Sequence, residues 1–219
     1  MRGESVNIQT IVKDYIDTIP VDEPIFVEDV KKYVADKIQK EDQENVLKNV
    51  NVILNRLKNA GTIKSIYKGL YYKPIKSIFG DVPLSSDKLR NLKYLKDKDG
   101  NIKGYITGAK LYNILGLTTL VPNVTDIVTN ECKYHKQYDE MLRTNLIKPK
   151  IQITNENYRY LQFIDLLENK DDIHIGNEDI NDIFYDYIKK FALDFEKIIK
   201  YIRETNSKNA LNKLLILAR

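Results

Sequence analysis

The sequence predicts an α+β protein, and three observations lead to this prediction. Apolar residues follow helical spacing through most of the first 57 residues, and the same spacing returns from residue 154 onward. Short β-type runs, rich in Ile and Tyr and punctuated by glycine, follow the first helical region. Between these, residues 87–153 mix short helical and alternating patterns, which indicates a lobe with both kinds of element.

The first 41 residues predict two amphipathic helices. Residues 5–19 carry apolar side chains at three- and four-residue spacing, with Ser5 as a plausible N-cap. A second helix is predicted over Val27–Gln39, and the preceding pair Ile25-Phe26 resembles a short β-strand that leads into it. Residues 39–43 are polar and predict a turn.

The stretch Asp42–Pro74 predicts a third helix followed by a β-hairpin. Apolar side chains share one helical face: Val46, Val50, Ile53 and Leu57. Gly61 follows the last periodic residue, where glycine readily takes the left-handed conformation that ends a helix. Two short strands are then predicted at Thr62–Tyr67 and Leu70–Lys73. Helix, helix, turn, helix and hairpin within about 70 residues is the order of a winged helix-turn-helix.

Residues 77–86, with Gly80 and Pro83, predict a connector between two domains. The sequence therefore predicts a winged helix-turn-helix domain over 1–76 and a second domain over 77–219.

The second domain is predicted to be mixed α/β to about residue 153 and helical thereafter. Its predicted elements are a helix over 87–95, a turn at Asp99-Gly100, a helix over 107–115 with Thr107 as cap, a strand over 124–129, a hairpin within 132–148 and a strand at Ile151–Ile153. Four helices are then expected, at about 158–167, 178–191, 193–203 and 208–218.

Composition limits the functional classes. No apolar run approaches the 18 or more residues that a membrane span needs, and the first ten residues hold no apolar signal region. A single cysteine, Cys132, cannot form an internal disulfide. We therefore expect a cytoplasmic protein with no membrane partner.

Positive charge is concentrated in the predicted third helix and hairpin. Residues 42–76 hold seven basic and two acidic side chains, a net charge of +5, whereas residues 1–41 carry a net charge of −3. A local basic excess is what a polyanion binder needs, although a solvated basic surface produces the same count.

Residue types in the same stretch favour double-stranded DNA as the partner. Asn and Gln side chains can pair with adenine, Arg and Lys with guanine, and hairpin cations or hydroxyls with phosphates. The candidate DNA-binding residues are Gln43, Asn45, Lys48, Asn49, Asn55, Arg56, Lys64, Ser65 and Lys68. A winged helix that contacts a protein partner instead is the alternative reading of these residues.

Other clusters do not favour metal binding, a cofactor or catalysis. Cys132 and His135 lie three residues apart, as two zinc ligands can. A structural zinc site needs four ligands, and the chain has no second cysteine and only one other histidine, His174. Asp97, Asp99 and Asn101 resemble part of a calcium loop, but the glycine offset is wrong and a solvated turn is the better interpretation. No phosphate-binding glycine loop or nucleophile motif is present. We expect no metal, no cofactor and no catalytic residues.

The run NRLKNAGTIKSIYKGLYYKP resembles a signature of the AbiEi-like antitoxins of type IV toxin–antitoxin, or abortive infection, systems. The matching residues are Arg56, Leu57, Gly61, Ile63, Lys68, Gly69, Tyr71 and Pro74. A second block, ITGAKLYNILGLTTLVPNVTDIVTN, is similar to the family at Gly108, Ala109, Leu115, Gly116, Leu117, Pro122 and Thr129. Lys68 stands where the family usually has arginine, and residues 132–148 match poorly.

The resemblance implies a bacterial antitoxin that binds inverted repeats in its own promoter and represses its operon. It further implies that the second domain opposes a nucleotidyltransferase-like toxin, and that no stable contact with the toxin is needed. The alternatives are a stand-alone winged-helix transcriptional regulator whose second lobe senses a ligand, and a protein-interaction module. An enzyme in the mixed lobe would need a carboxylate or histidine constellation that the sequence does not offer.

Overall fold

The computed structural model describes residues 7–38, 43–169 and 180–217, and it confirms the α+β class. The chain divides into two units, Met1–Leu84 and Ser85–Arg219, which we call unit 1 and unit 2. Their division lies inside the predicted connector. Among the described residues, no helix combines the length and apolarity that crossing a membrane requires.

Unit 1 begins with three helices around one apolar core. They are α1 (Ile8–Thr18), α2 (Val27–Asp36) and α3 (Gln43–Asn59). Their inward faces bury Val12, Val34, Val50 and Leu54 together, as helical spacing predicts.

Two expectations for these helices need correction. The cap of α1 is Asn7, whose side chain accepts a hydrogen bond of 3.1 Å from the backbone N–H of Gln9. The predicted cap, Ser5, lies outside the described residues. The second helix ends at Asp36 rather than Gln39. Of the predicted turn at 39–43, residues 39–42 lie outside the described part of the chain, and Gln43 begins α3.

A three-stranded antiparallel sheet completes the first part of unit 1. Its strands are β1 (Pro24–Phe26), β2 (Lys64–Tyr67) and β3 (Leu70–Tyr72), in the order β1-β3-β2. Gly61 ends the preceding helix at φ +72°, and Gly69 turns the β2–β3 hairpin at φ +87°. The strand at Ile25-Phe26 and the hairpin are therefore confirmed, with slightly shorter strands than expected.

The predicted connector is structured. Strands β4 (Ile75–Ser77) and β5 (Gly80–Val82) form a second antiparallel hairpin. The Ser77 hydroxyl donates to the Gly80 carbonyl at 2.7 Å and accepts from the Phe79 N–H at 3.2 Å, which closes the turn. Gly80 and Pro83 are typical of a connector, but Gly80, at φ +106°, belongs to this hairpin.

Unit 2 opens with a helix and a four-stranded sheet. The helix α4 (Ser86–Arg90) runs into a π-helical turn at Asn91–Leu95. The sheet has the order β6-β7-β9-β8 and contains β6 (Gly104–Thr107), β7 (Thr125–Thr129), β8 (Lys136–Asp139) and β9 (Thr144–Ile147). β7 and β9 are parallel and the other pairs antiparallel. The β7 strand and the hairpin within 132–148 are confirmed, but β6 was not predicted.

Two local predictions in unit 2 have different outcomes. Helix α5 (Gly108–Ile114) follows Thr107, which occupies the N-cap position without making a side-chain capping bond, and Gly116 follows it at φ +77°. The predicted strand at Ile151–Ile153 is wrong. The backbone N–H and C=O of Ile153 pair instead with the side chain of Asn130, at 3.0 and 2.9 Å, so a side chain takes the place of a neighbouring strand.

Four helices complete unit 2, as predicted. They are α6 (Tyr158–Glu168), α7 (Ile180–Lys190), α8 (Phe195–Glu204) and α9 (Lys208–Leu217). Helix α6 is buried on most sides, and its Phe163 meets Phe184 and Tyr187 of α7 at ring distances of 6.0 and 5.6 Å. Ile198 and Leu214 bring the last two helices into the same core.

Candidate nucleic-acid interface

Helix α3 presents one face to the core and leaves the opposite face exposed. Val50, Leu54 and Leu57 are buried at 0, 0 and 7% exposure. The predicted DNA-binding residues of this helix that the structure describes are all exposed: Lys48, Asn49, Asn55 and Arg56. The side chains of Gln43 and Asn45 lie outside the described part.

The exposed face of α3 carries positive charge from residue 48 onward, and Glu44 precedes it by four residues in the same helix. From residue 48 to 59 the sequence holds three cations and no carboxylate. Amide and cationic heads on one helical face can donate and accept hydrogen bonds at base edges in a DNA major groove.

Two further residues of this face were missed. Asn51 is exposed, and Val52 is 48% exposed although it is apolar. Val52 lies four residues from both Lys48 and Arg56, so helical phase alone places it in the centre of the face. Val52 is not among the predicted contact residues because an apolar side chain in an amphipathic helix is expected to face the core. An exposed valine can contact a thymine methyl group.

One edge of α3 meets the start of α1. Asn49, Val52 and Arg56 line an open cleft against Asn7 and Gln9. The first backbone N–H groups of α1 are already bonded, that of Gln9 to the Asn7 side chain and those of Thr10 and Ile11 to the Asn7 carbonyl. The cleft therefore offers a guanidinium and side-chain amides, which can contact a phosphate group.

The other predicted contact residues belong to the β2–β3 hairpin, and they differ in exposure and in ion pairing. Ser65 and Lys68 are exposed, as a phosphate contact requires. Lys64 is not unpaired: its ammonium lies 3.1 Å from Asp81 of the second hairpin, and Lys76 lies 2.8 Å from the same carboxylate. Hydrogen bonds from Lys76 and then Lys64 lower the pKa of Asp81. Part of the positive charge expected of Lys64 is thus offset by a residue that the sequence did not connect to it.

The motifs that the sequence set aside in unit 2 take local structural roles. Gly100, at φ +84°, closes a turn in which the Asp97 side chain accepts from the backbone N–H groups of Asp99 and Asn101 at 2.9 and 2.8 Å. The Cys132 thiol is buried and donates to the Tyr134 carbonyl at 3.0 Å.

Unit 2 also holds a buried carboxyl group beside a small cavity. Tyr105 donates a hydrogen bond of 3.0 Å to Asp165, and Lys150 holds Glu168 at 3.0 Å and the Ser207 hydroxyl at 2.9 Å. Burial raises the pKa of Asp165 to about 6, against a lowering effect of the Tyr105 hydrogen bond. The carboxyl group is therefore neutral at a pH where most carboxyl groups are charged.

We expect the Asp165 carboxyl group to make unit 2 less stable as pH rises. Its pKa is higher in the folded chain than in the unfolded chain, so its contribution is complete below about pH 4 and is lost as pH rises through about 6. Asp165→Asn, which imitates the neutral acid, should gain on the order of 2 kcal/mol relative to the wild type between pH 4.5 and 7. Urea unfolding of the wild type and Asp165→Asn at pH 4.5 and 7 measures this gain. An equal difference in unfolding free energy between the two proteins at both pH values would contradict the raised pKa of Asp165.

Comparison with protein-family models finds no matching family, and comparison with curated proteins finds no match.

Proposed function

We propose that the chain is a DNA-binding antitoxin of the type IV toxin–antitoxin class. In this proposal unit 1 is a winged helix-turn-helix that binds double-stranded operator DNA and represses the chain's own operon in the cytoplasm. Unit 2 opposes a nucleotidyltransferase-like toxin, and no direct contact with the toxin is required. The chain needs no catalytic residues for these roles.

The element order of unit 1 supports the winged-helix assignment. Three helices with one short strand between the first two are followed by a hairpin, and β3 lies between β1 and β2. In such a domain α3 is the recognition helix and the β2–β3 hairpin, which we call the wing, lies beside it. The observation that carries the DNA proposal is the exposed face of α3 over residues 48–59, which has amide and cationic side chains and no carboxylate in that range.

The antitoxin part of the proposal is supported by the resemblance to the AbiEi-like family. Several residues that carry this resemblance have defined backbone or core roles. Gly61 and Gly69 take positive φ values, as do Gly108 and Gly116 in the second block. Leu57, Ile63, Leu117 and Thr129 are buried. These roles explain why such residues carry the resemblance: a substitution at any of them would disturb the fold.

We expect the wing to contribute mainly through phosphates. Lys68→Ala should lower the slope of log affinity against log salt by about one unit, because one phosphate contact is lost. Lys64→Ala should lower it less, since Asp81 already offsets the Lys64 charge. Fluorescence anisotropy at several salt concentrations measures both slopes. Lys133→Ala, an exposed lysine of unit 2, is the control. Equal slopes for the wild type and Lys68→Ala would show that the wing does not contact the DNA phosphates.

The proposed function is tested in cells with two readouts. A reporter driven by the chain's own promoter should be repressed when the full chain is expressed, and the Lys48→Ala/Arg56→Ala variant should relieve the repression. Co-expression with the product of the adjacent gene should restore growth if that product is the toxin. Repression without rescue would favour the alternative, a stand-alone regulator. Rescue of growth without repression of the reporter would support the antitoxin role and contradict the autorepressor role.

A further inference from the structure

Unit 2 contains a cleft of about 430 Å³ that the proposed function does not use. It lies among the π-helical turn after α4, strand β6 and helices α5, α6 and α7. Much of its wall is apolar or aromatic, provided by Ile106, Leu111, Ile114, Tyr158, Tyr187 and Phe191. This volume is within the range of small-molecule sites in proteins.

A guanidinium group in this cleft lies close to two aromatic rings. The Arg159 guanidinium carbon is 3.8 Å from the centre of the Phe191 ring and 4.8 Å from that of Tyr158. Its Nη1 donates to Gln162 Oε1 at 2.9 Å. Its Nε is fully buried and has no hydrogen-bond acceptor among the described residues. A buried donor without an acceptor is costly, so this side of the guanidinium is the side where an acceptor would be stabilising.

The arginine is held in place by a buried amide. Gln162 donates from Nε2 to the Ile106 carbonyl at 2.7 Å, and its Oε1 also accepts from the Tyr187 hydroxyl at 2.6 Å. Gln162 accepts a hydrogen bond from Nη1 of Arg159. It provides no acceptor for the other edge of the guanidinium, which is formed by Nε and Nη2. Since Nε is fully buried, an anion in the cleft reaches this free edge of the guanidinium through Nη2, with a charge-assisted hydrogen bond.

The charged side chains that line the cleft, among the residues that the structure describes, are all positive. Lys96 and Lys190 line it together with Arg159, and no Asp or Glu is among the lining residues that the structure describes. The Lys190 ammonium lies 5.6 Å from the Phe191 ring, beside the guanidinium stack. A cleft lined by charges of one sign concentrates counter-ions, so three cations around an apolar cleft favour an anionic partner.

We propose that this cleft binds a small organic anion, in which a carboxylate or phosphate group is attached to a planar aromatic body. The anion occupies the free edge of Arg159, with Lys96 and Lys190 adding long-range attraction. The aromatic body packs against the apolar wall near Leu111 and Tyr187. This inference does not depend on DNA binding by unit 1.

The test is calorimetric titration of the full chain with four probes. Benzoate supplies an aromatic carboxylate and adenosine monophosphate an aromatic phosphate, so these two arms distinguish the two sources of the anion. Adenosine lacks the charge and inorganic phosphate lacks the aromatic body. We expect at least one organic anion to bind with Kd below about 1 mM, and adenosine and inorganic phosphate to bind about tenfold more weakly or not at all.

Variants then place the binding in the cleft. Arg159→Met keeps most of the side-chain volume and should weaken binding of the organic anion about tenfold or more. Lys96→Ala/Lys190→Ala changes only exposed residues, so it keeps the fold and should weaken binding severalfold. Lys133→Ala/Lys136→Ala, with the same charge change elsewhere in unit 2, should bind as the wild type does.

Three results would overturn the proposal. They are failure of both organic anions to bind at 5 mM, equal binding of adenosine and adenosine monophosphate, and wild-type affinity in the Lys96→Ala/Lys190→Ala variant.

Discussion

Full-length protein carrying Lys48→Ala and Arg56→Ala is expected to lose on the order of 100-fold in affinity for the DNA upstream of its own gene. Both side chains are exposed on the same face of α3, and Arg56 also lines the cleft against the start of α1. If α3 is the recognition helix, each cation removed from it costs about 1–3 kcal/mol of binding free energy. An electrophoretic mobility shift assay at fixed salt measures the loss.

The matched control removes two cations from unit 2. Lys133→Ala/Lys136→Ala changes the net charge equally, and both lysines are exposed. We expect this control to change the affinity by less than about threefold. Circular dichroism and thermal melting of both variants show that the fold is kept. If the control loses as much affinity as the α3 variant, binding depends on total charge and α3 is not the recognition helix.

Gly104→Ala is expected to lower the free energy of unfolding of unit 2 by about 3 kcal/mol. A Cβ at this position of β6 would clash with the backbone carbonyl oxygen of Tyr94 and lie 2.9 Å from that of Val128. Both obstacles are backbone atoms, so no side chain can rotate away. The Tyr94 carbonyl also accepts a hydrogen bond of 2.8 Å from Thr129, so moving it would break a second buried contact.

Gly100→Ala separates this steric effect from backbone strain. Gly100 has φ +84° and open space around its missing Cβ, so alanine there costs only about 1 kcal/mol for the left-handed conformation. Urea unfolding followed by circular dichroism compares the two variants. A Gly104→Ala protein that is no less stable than Gly100→Ala would contradict the packing of β6 between β7 and the π-helical turn.

Helices were predictable because each buries a periodic apolar face. The spacing that gives Val50, Leu54 and Leu57 a common face is local, and so is the use of Gly61 to end the helix. The wing followed from the same kind of local signal, a glycine between two β-type runs. Predicted contact residues such as Asn55 and Arg56 are exposed because the opposite face of the helix is fixed by burial.

Features that depend on distant residues were not predictable from local patterns. Strand β6 is only four residues long, and Gly104 within it reads as a strand breaker until the close approach of Tyr94 and Val128 is known. The segment Ile151–Ile153 has strand-like composition, but side chains take its backbone hydrogen bonds: Asn130 pairs with Ile153, and Asn157 donates to the Gln152 carbonyl.

The partners of the charged residues are also distant in sequence. Lys64 meets Asp81 across two hairpins. The Arg159 cleft collects residues from five elements between Asn91 and Phe191. Periodicity and charge counts do not show which distant residues come into contact, so the sequence could predict a basic hairpin but not the ion pair that Lys64 makes with Asp81 of the second hairpin.

Binding of the wild-type, full-length chain to its own upstream DNA tests the central proposal most directly. Hydroxyl-radical footprinting should show protection of an inverted repeat, and a shuffled duplex of the same composition should bind at least about 1,000-fold more weakly at physiological salt. Affinity should fall steeply as salt rises, because the exposed cations of α3 and the wing displace counterions. Absence of binding at low salt, or equal affinity for the shuffled duplex, would contradict the assignment of unit 1 as an operator-binding winged helix.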